Sequence, residues 1–332
     1  MRPLILALAC TLLTAAEPEA VRADLAARAA ALDAAGQQAV PGADGWWFLT
    51  RELRSYGRGE FWGDAAAAIQ PAAKEADPLA CLLSVQAQAA KSGVALLLVP
   101  VPGKLVVHPD RLAPPLTLAA GERPDAQHRR FFATLREQGF QVLDLADDFN
   151  ALRAAGTDPF CHQDTHWSPA GLRLAAERIA AVVKSQPWHA ATPKVAPVGS
   201  DLAVAVRGDL ARIGEPDGTT TEALTVRQVR LGADFVVADP ASPLVVIGDS
   251  HCLIYDHPLL LTEHAGLTQQ LAELTGVVPD TVAEMAGGIN TPRSTLRRRK
   301  DNLAGKKCLV WVFAARSLTE SDEGWKTIPM VR

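Results

Sequence analysis

The chain has 332 residues, 48% of them hydrophobic and 21% charged, with a formal net charge of −4. That composition is ordinary for a globular chain, long enough for one large α/β domain or two smaller ones. Lys and Arg (33) are outnumbered by Asp and Glu (37), so nothing in the overall charge points to a nucleic-acid partner.

In chain order, the first segment reads as a leader rather than part of a fold. Arg2, a mainly apolar run over residues 4–13 and small residues up to Ala16 have the zones of a secretory signal peptide. Thr14 and Ala16 stand where a signal peptidase reads. The run is too short for a bilayer helix, which needs about 20 apolar residues. Residues 1–16 are therefore expected to be cleaved, Cys10 with them, leaving residues 17–332 soluble in an exported compartment. Cys81, Cys161, Cys252 and Cys308 then remain. They could form two disulfides by any of three pairings, or sit reduced as small buried apolar groups.

Residues 17–38 carry Val21, Leu25, Ala29 and Leu32 at helical spacing, with Arg22 and Arg28 left for the polar side. Pro41–Gly42 breaks the pattern, and residues 44–49 read as a turn feeding a short aromatic strand. Residues 94–99 are unbroken apolar, the signature of a strand buried on both faces. Residues 125–138 are helical, stopped by Gly139, and 141–145 form the next strand. Ser168-Pro169 is a helix start, Ser as N-cap and Pro at the first helical position. That helix runs to about Lys184, with Leu172, Ala175, Ala176 and Ile179 inside.

Residues 186–242 break the rhythm. They are rich in Pro, Gly, Thr and Val, with alternating pieces at 202–206 and 224–229, and read as a β-rich insertion. Alternation then resumes. Strand 244–247 runs into Gly248-Asp249-Ser250, helix 267–274 is closed by Gly276, strand 281–285 follows, then helix 292–300 and final strand 308–314. Strands alternating with helices imply a parallel sheet covered on both faces, an α/β/α sandwich.

Ligands of such a sheet collect outside the carboxyl ends of its strands. Gly248-Asp249-Ser250-His251 falls at one such end, where a serine at a strand–helix junction exposes its hydroxyl and offers its N–H to an oxyanion. Asp164-Thr165-His166-Trp167 precedes the capped helix. An imidazole must take the serine proton, and a carboxylate must hold its other nitrogen. Asp and His one residue apart in extended backbone point to the same side, so this segment can supply both. Each piece alone is common; together they meet the demands of nucleophile, base and orienter. A metal site on His162, Asp164 and His166 is the weaker alternative, since beyond Cys161 no further ligand cluster closes it.

The segments Asp-Gly-Trp-Trp-Phe-Leu (44–49), Val-Pro-Val-Pro-Gly-Lys (99–104), Asp-Thr-His-Trp-Ser-Pro (164–169), Gly-Asp-Ser-His (248–251) and Trp-Val-Phe-Ala-Ala-Arg (311–316) occur in a telling order. It resembles that of alginate O-acetyltransferases of the SGNH-hydrolase-like type, across essentially the whole mature chain. The resemblance implies a flavodoxin-like fold with a permuted motif order, and Ser250, His166 and Asp164 as its triad. It implies a periplasmic enzyme that moves acetyl groups from a donor onto a secreted, alginate-like polysaccharide, beside a membrane-bound O-acyltransferase; neither cofactor nor metal is expected. Two departures stand out. Val312 replaces an expected Glu, and a C-terminal carbohydrate-binding module is missing, which suggests a shorter, module-free branch.

Four further residues are candidates. Gly288, through its N–H, and Asn290, through its amide, could complete an oxyanion hole or form a plain Gly-rich turn. Arg316 could meet a sugar or acyl carbonyl, or make a structural ion pair. Trp167 could stack on a sugar or fill the core. The basic run 297–300 reads as a solvated helix face rather than a polymer site. The same triad could serve an acetylesterase with water as acceptor, and a non-catalytic polysaccharide-binding assembly protein is the rival from another class.

Overall fold

A computed structural model describes residues 18–119, 121–285 and 288–331; the leader reading for residues 1–16 lies outside them. No helix among the described residues is long and apolar enough to cross a membrane. Helix Pro18–Ala34 opens the chain and buries Val21, Leu25 and Ala29. A two-stranded antiparallel ribbon follows, β1 (Ala39–Pro41) with β2 (Trp47–Leu49). Strands β3 (Ala95–Val101) and β4 (Gln141–Val142) come next. The Pro- and Gly-rich stretch then supplies a separate antiparallel sheet of β5 (Val198–Val206), β6 (Glu222–Leu231) and β7 (Asp234–Phe235). Strands β8 (Leu244–Gly248), β9 (Asp280–Ala283) and β10 (Cys308–Ala314) complete the main sheet.

That main sheet has the order β4-β3-β10-β8-β9 and is parallel throughout. Its last strand in sequence is its middle strand in space, which is why β10 is apolar at all seven positions and wholly buried. Alternate side chains feed two cores. Val99, Val246 and Val310 face Leu172, Ala176 and Ile179 of helix Pro169–Ser185. Leu98, Ile247 and Trp311 face Leu82, Val85 and Phe131 on the opposite side. At roughly 1.5–3 kcal/mol for each fully buried large apolar side chain, these layers dominate the stabilisation. The α/β/α sandwich expected from the alternation is the fold.

Local signals hold where they are short-range. Ser168 Oγ accepts the Gly171 N–H at 3.1 Å with Pro169 at the first helical position, and Gly276 closes helix Leu267–Thr275 in the left-handed conformation. Helix Pro78–Lys91 is not anticipated above, although Asp77 caps it and Pro78 begins it. The strand expected over 141–145 shortens to two residues, because Asp144 turns to accept the Ala146 N–H and starts the next helix. Cys81, Cys161, Cys252 and Cys308 are free and buried, so neither disulfide forms. The basic run ends helix Asn290–Arg299 on the exposed side, where Arg299 pairs with buried Asp280.

Candidate active site

The site stands at the carboxyl ends of β8 and β10. β8 ends at Gly248, whose role is close approach rather than a special turn. A Cβ there would lie 2.5 Å from both the Val312 carbonyl oxygen and Cys252 Sγ. The chain leaves the strand through Asp249, and Ser250 begins a single 3-10 turn, Ser250–Cys252. Asp249 fixes that turn: Oδ1 accepts the His251 N–H at 2.9 Å, and Oδ2 accepts the Ala314 N–H at 2.8 Å from the end of β10. The nucleophile turn is thereby tied to the middle of the sheet.

His166 arrives from the loop before helix Pro169–Ser185. Its Nε2 lies 2.7 Å from Ser250 Oγ, and its Nδ1 lies 2.6 Å from Asp164 Oδ1. Asp164 Oδ1 also accepts the His166 backbone N–H at 3.1 Å, so one carboxylate oxygen sets both the loop and the ring. Oδ2 accepts the Asp209 N–H at 2.9 Å. Burial alone would neutralise Asp164, but the imidazole beside it and these donors hold its carboxyl well below the usual carboxylate range. Burial also opposes charge on His166, yet the Asp164 carboxylate outweighs it and moves the imidazole upward from 6.5. The arrangement is a hydroxyl, a base and an orienter in line, able to deprotonate the serine and hold the cation that results.

Asp209 escaped the sequence reading. It lies 45 residues from Asp164 inside the β-rich stretch, and its carboxylate takes the Thr165 N–H and hydroxyl at 2.7 and 2.6 Å. Asp164, His166 and Asp209 place ligand atoms within 4.8 Å of one another. The Asp164 carboxylate, however, is bonded to His166 and the Asp209 carboxylate to Thr165, which is an orienting network rather than a metal cradle. His162 turns away altogether, bonding Asp158 at 2.9 Å and stacking on Trp46.

Gly208 lets Asp209 come this close. A Cβ there would lie 2.2 Å from the Gln163 carbonyl and 2.5 Å from the Asp164 nitrogen, all backbone. Gly208→Ala is expected to cost about 1–3 kcal/mol, as overpacking does, and to displace the Asp164 loop. Urea unfolding should show the loss, and acetylation of Ser250 by an acetyl ester should slow at least about tenfold. Wild-type stability and rate together would remove this wedge from the argument.

Beside Ser250 opens a cavity of about 520 Å³, lined among others by Gly288, Asn290, Arg316 and Asp322. Asn290 is anchored into the wall: its amide donates to the Gly324 carbonyl, and its oxygen accepts from Arg293 and Lys326. Arg316 lines the cavity, and its Nη1 lies 3.3 Å from buried Glu52. Glu52 in turn accepts the Lys104 N–H, which draws the 99–104 motif into the same network. Trp167 does not reach a sugar. Its ring is fully buried against His251, so the stacking expectation fails because the helix start carries it inward. Val312 is likewise fully buried in the apolar layer, away from the cavity.

The chain matches the model of an SGNH hydrolase-like domain, acetyltransferase AlgX, over residues 39–315. It is 28% identical over 149 residues to the "Probable alginate O-acetylase AlgJ" of Pseudomonas aeruginosa, covering 44% of this chain and 33% of that protein. The protein of the same name from Pseudomonas syringae pv. tomato is 27% identical over 148 residues, again covering 33% of its length. The match thus spans about a third of these relatives. Among solved structures, the O-acetyltransferase domain of Pseudomonas putida AlgJ superposes with a TM-score of 0.65 at 21% identity, covering 85% of this chain and 92% of that one. Pseudomonas aeruginosa AlgX does so with a TM-score of 0.61 at 17% identity, covering 88% and 65%. These structural likenesses concern the fold.

Proposed function

The chain belongs to the SGNH hydrolase-like acetyltransferase family of AlgX, and from that membership we propose that it is an exported O-acetyltransferase acting on hydroxyls of a secreted polysaccharide. The observation that carries the reading is the hydrogen-bonded line from Ser250 through His166 to Asp164, opening onto a cavity. His166 takes the Ser250 proton as Oγ attacks the acetyl carbonyl. The developing oxyanion is held by backbone N–H groups, those of Ser250 and Gly288. His166 then passes its proton to the leaving group of the donor, which departs and leaves acetyl-Ser250. A sugar hydroxyl gives its proton to His166, attacks the acetyl carbon, and takes the acetyl group as Ser250 Oγ regains its proton. Asp164 holds the imidazole and its cation throughout. Arg316 contributes a cavity contact to sugar or carbonyl. No step needs a cofactor.

This activity occupies one domain, residues 17–332, with the β-rich insertion over about 186–242 supplying Asp209. Residues 1–16 direct export to the periplasm and are removed; a mature intact mass that lacks them is the expected result, and one that retains them would overturn the export reading. The acetyl donor is supplied through a membrane-bound O-acyltransferase partner. Transfer is tested by incubating the protein with a chromogenic acetyl ester, with and without oligosaccharide, and weighing the sugar. A gain of one acetyl mass on sugar, lost in Ser250→Ala, is expected. Acetate release without sugar acetylation would make the protein an esterase, and no acetyl-serine at all would make it a binding protein.

A further inference from the structure

Ser250 lies between two copies of one local device. In Asp164-Thr165-His166, a single carboxylate oxygen accepts both the backbone N–H and Nδ1 of the histidine two residues on, at 3.1 and 2.6 Å. In Asp249-Ser250-His251 the same pattern recurs, with both distances 2.9 Å. The first imidazole bonds Ser250 Oγ, and the second follows Ser250 in the chain. The proposed mechanism employs only the first, although His251 is just as deeply buried.

The ring of His251 packs against that of His166, centroids 4.7 Å apart and planes inclined at 60°, and stands edge-on to Trp167 at 5.2 Å and 83°. Resting on the reading of His166 as general base, we propose that His251 is a positioning residue, a wall whose own orientation is locked by Asp249 and which keeps His166 Nε2 on Ser250 Oγ. Besides its bond to Ser250 itself, the ring is anchored by its far nitrogen on Asp164, and a ring anchored at one edge can swing about that bond. A second ring across its face removes that freedom, which matters because small misalignments of reacting groups cost large rate factors.

A wall beside a base that becomes cationic must not itself be charged. The charged and titratable groups facing His251 are Asp249 on its own turn, His166 across the gap and Arg316 beyond the end of β10. Burial pushes the His251 imidazole down, and despite the pull of Asp249 it lies at about 4, with His166 and Arg316 adding to the depression. It is therefore neutral where the enzyme works, with Nδ1–H donated to Asp249. That donation has a second benefit. The carboxylate next to the nucleophile accepts three hydrogen bonds from His251 and Ala314, which stabilise its charge.

Two substitutions separate ring from hydrogen bond. His251→Asn keeps an N–H donor at the Nδ1 position and removes the remaining ring; His251→Phe keeps a ring and removes the donor. The burst of acetyl-serine formation from an acetyl ester should slow about tenfold or more in His251→Asn with KM within about twofold of wild type. His251→Phe should recover at least about a third of the wild-type rate. In histidine-labelled protein, NMR should show the carboxylate-bound imidazole N–H protons of His166 and His251, besides that of His162 on Asp158. The His166 imidazole pKa is raised from its ordinary value by Asp164 while the His251 imidazole is still neutral at pH 5, and His251→Asn should remove the His251 signal and displace that of His166. An undiminished rate in His251→Asn, or Phe slower than Asn, overturns the wall. If both variants slow equally, an unmoved His166 proton signal in His251→Asn overturns it and a displaced one supports it. Full activity in His166→Ala would instead sink the reading of the site on which this rests.

Discussion

Ser250→Ala and His166→Ala are each expected to lose acetyl-enzyme formation by about a thousandfold or more, Ser250→Ala with little change in stability. Without Oγ no acyl intermediate forms; without the imidazole the 2.7 Å hydrogen bond that activates Oγ is gone. Ser250 is only half-buried, so its truncation leaves no large cavity. Members of such a triad act as a unit, and removing one costs about as much as removing several. The double variant should therefore be little slower than the slower single one. The measurement is the pre-steady-state burst with a chromogenic acetyl ester, alongside urea unfolding of each variant. Losses that multiply, or near-normal turnover in Ser250→Ala, would show that another group carries the acetyl.

Asp164→Asn should be slower by about a thousandfold to ten-thousandfold, the scale seen when a triad imidazole is left in the wrong tautomer. The geometry explains why an amide cannot substitute. Both carboxylate oxygens accept: Oδ1 from the His166 N–H and ring, Oδ2 from the Asp209 N–H. An amide offers one acceptor and one donor group, so it must face one of these donors with its own NH₂. Facing Asp209 correctly, it presents NH₂ to Nδ1, which then gives up its proton to Nε2, and Nε2 can no longer accept from Ser250.

The same pair sets the pH dependence. Neutral imidazole is the reactive form, and Asp164 raises the His166 pKa above 6.5 against the opposing effect of burial. The burst rate should thus rise with pH through a midpoint above 6.5 and fall on acidification. Removing the carboxylate charge in Asp164→Asn leaves burial unopposed, so the midpoint should move down while the plateau collapses. A burst indifferent to pH across the imidazole range would remove His166 as general base.

Much of this was legible because the signals are short-range. An apolar run such as 244–247 has one way to bury both faces, a cap such as Ser168-Pro169 acts within one turn, and Asp164 reaches His166 across a single residue. These are properties of a few consecutive residues, and the sequence by itself determined them: the parallel α/β sandwich, the position of Gly248-Asp249-Ser250 at a strand end and of Asp164-Thr165-His166 before a capped helix, and the pairing of carboxylate with imidazole. What it left open depends on packing between segments far apart in the chain. Asp209 props Asp164 from 45 residues away, and Glu52 meets Arg316 across 264. Trp167 turned inward and the cysteines stayed apart because the helix and strands around them pack that way. Whether Ser250 Oγ meets His166 Nε2 was decided only by the tertiary structure. β10, the last strand in sequence, enters the middle of the sheet and fastens the nucleophile turn through Asp249, and no local pattern can specify that placement.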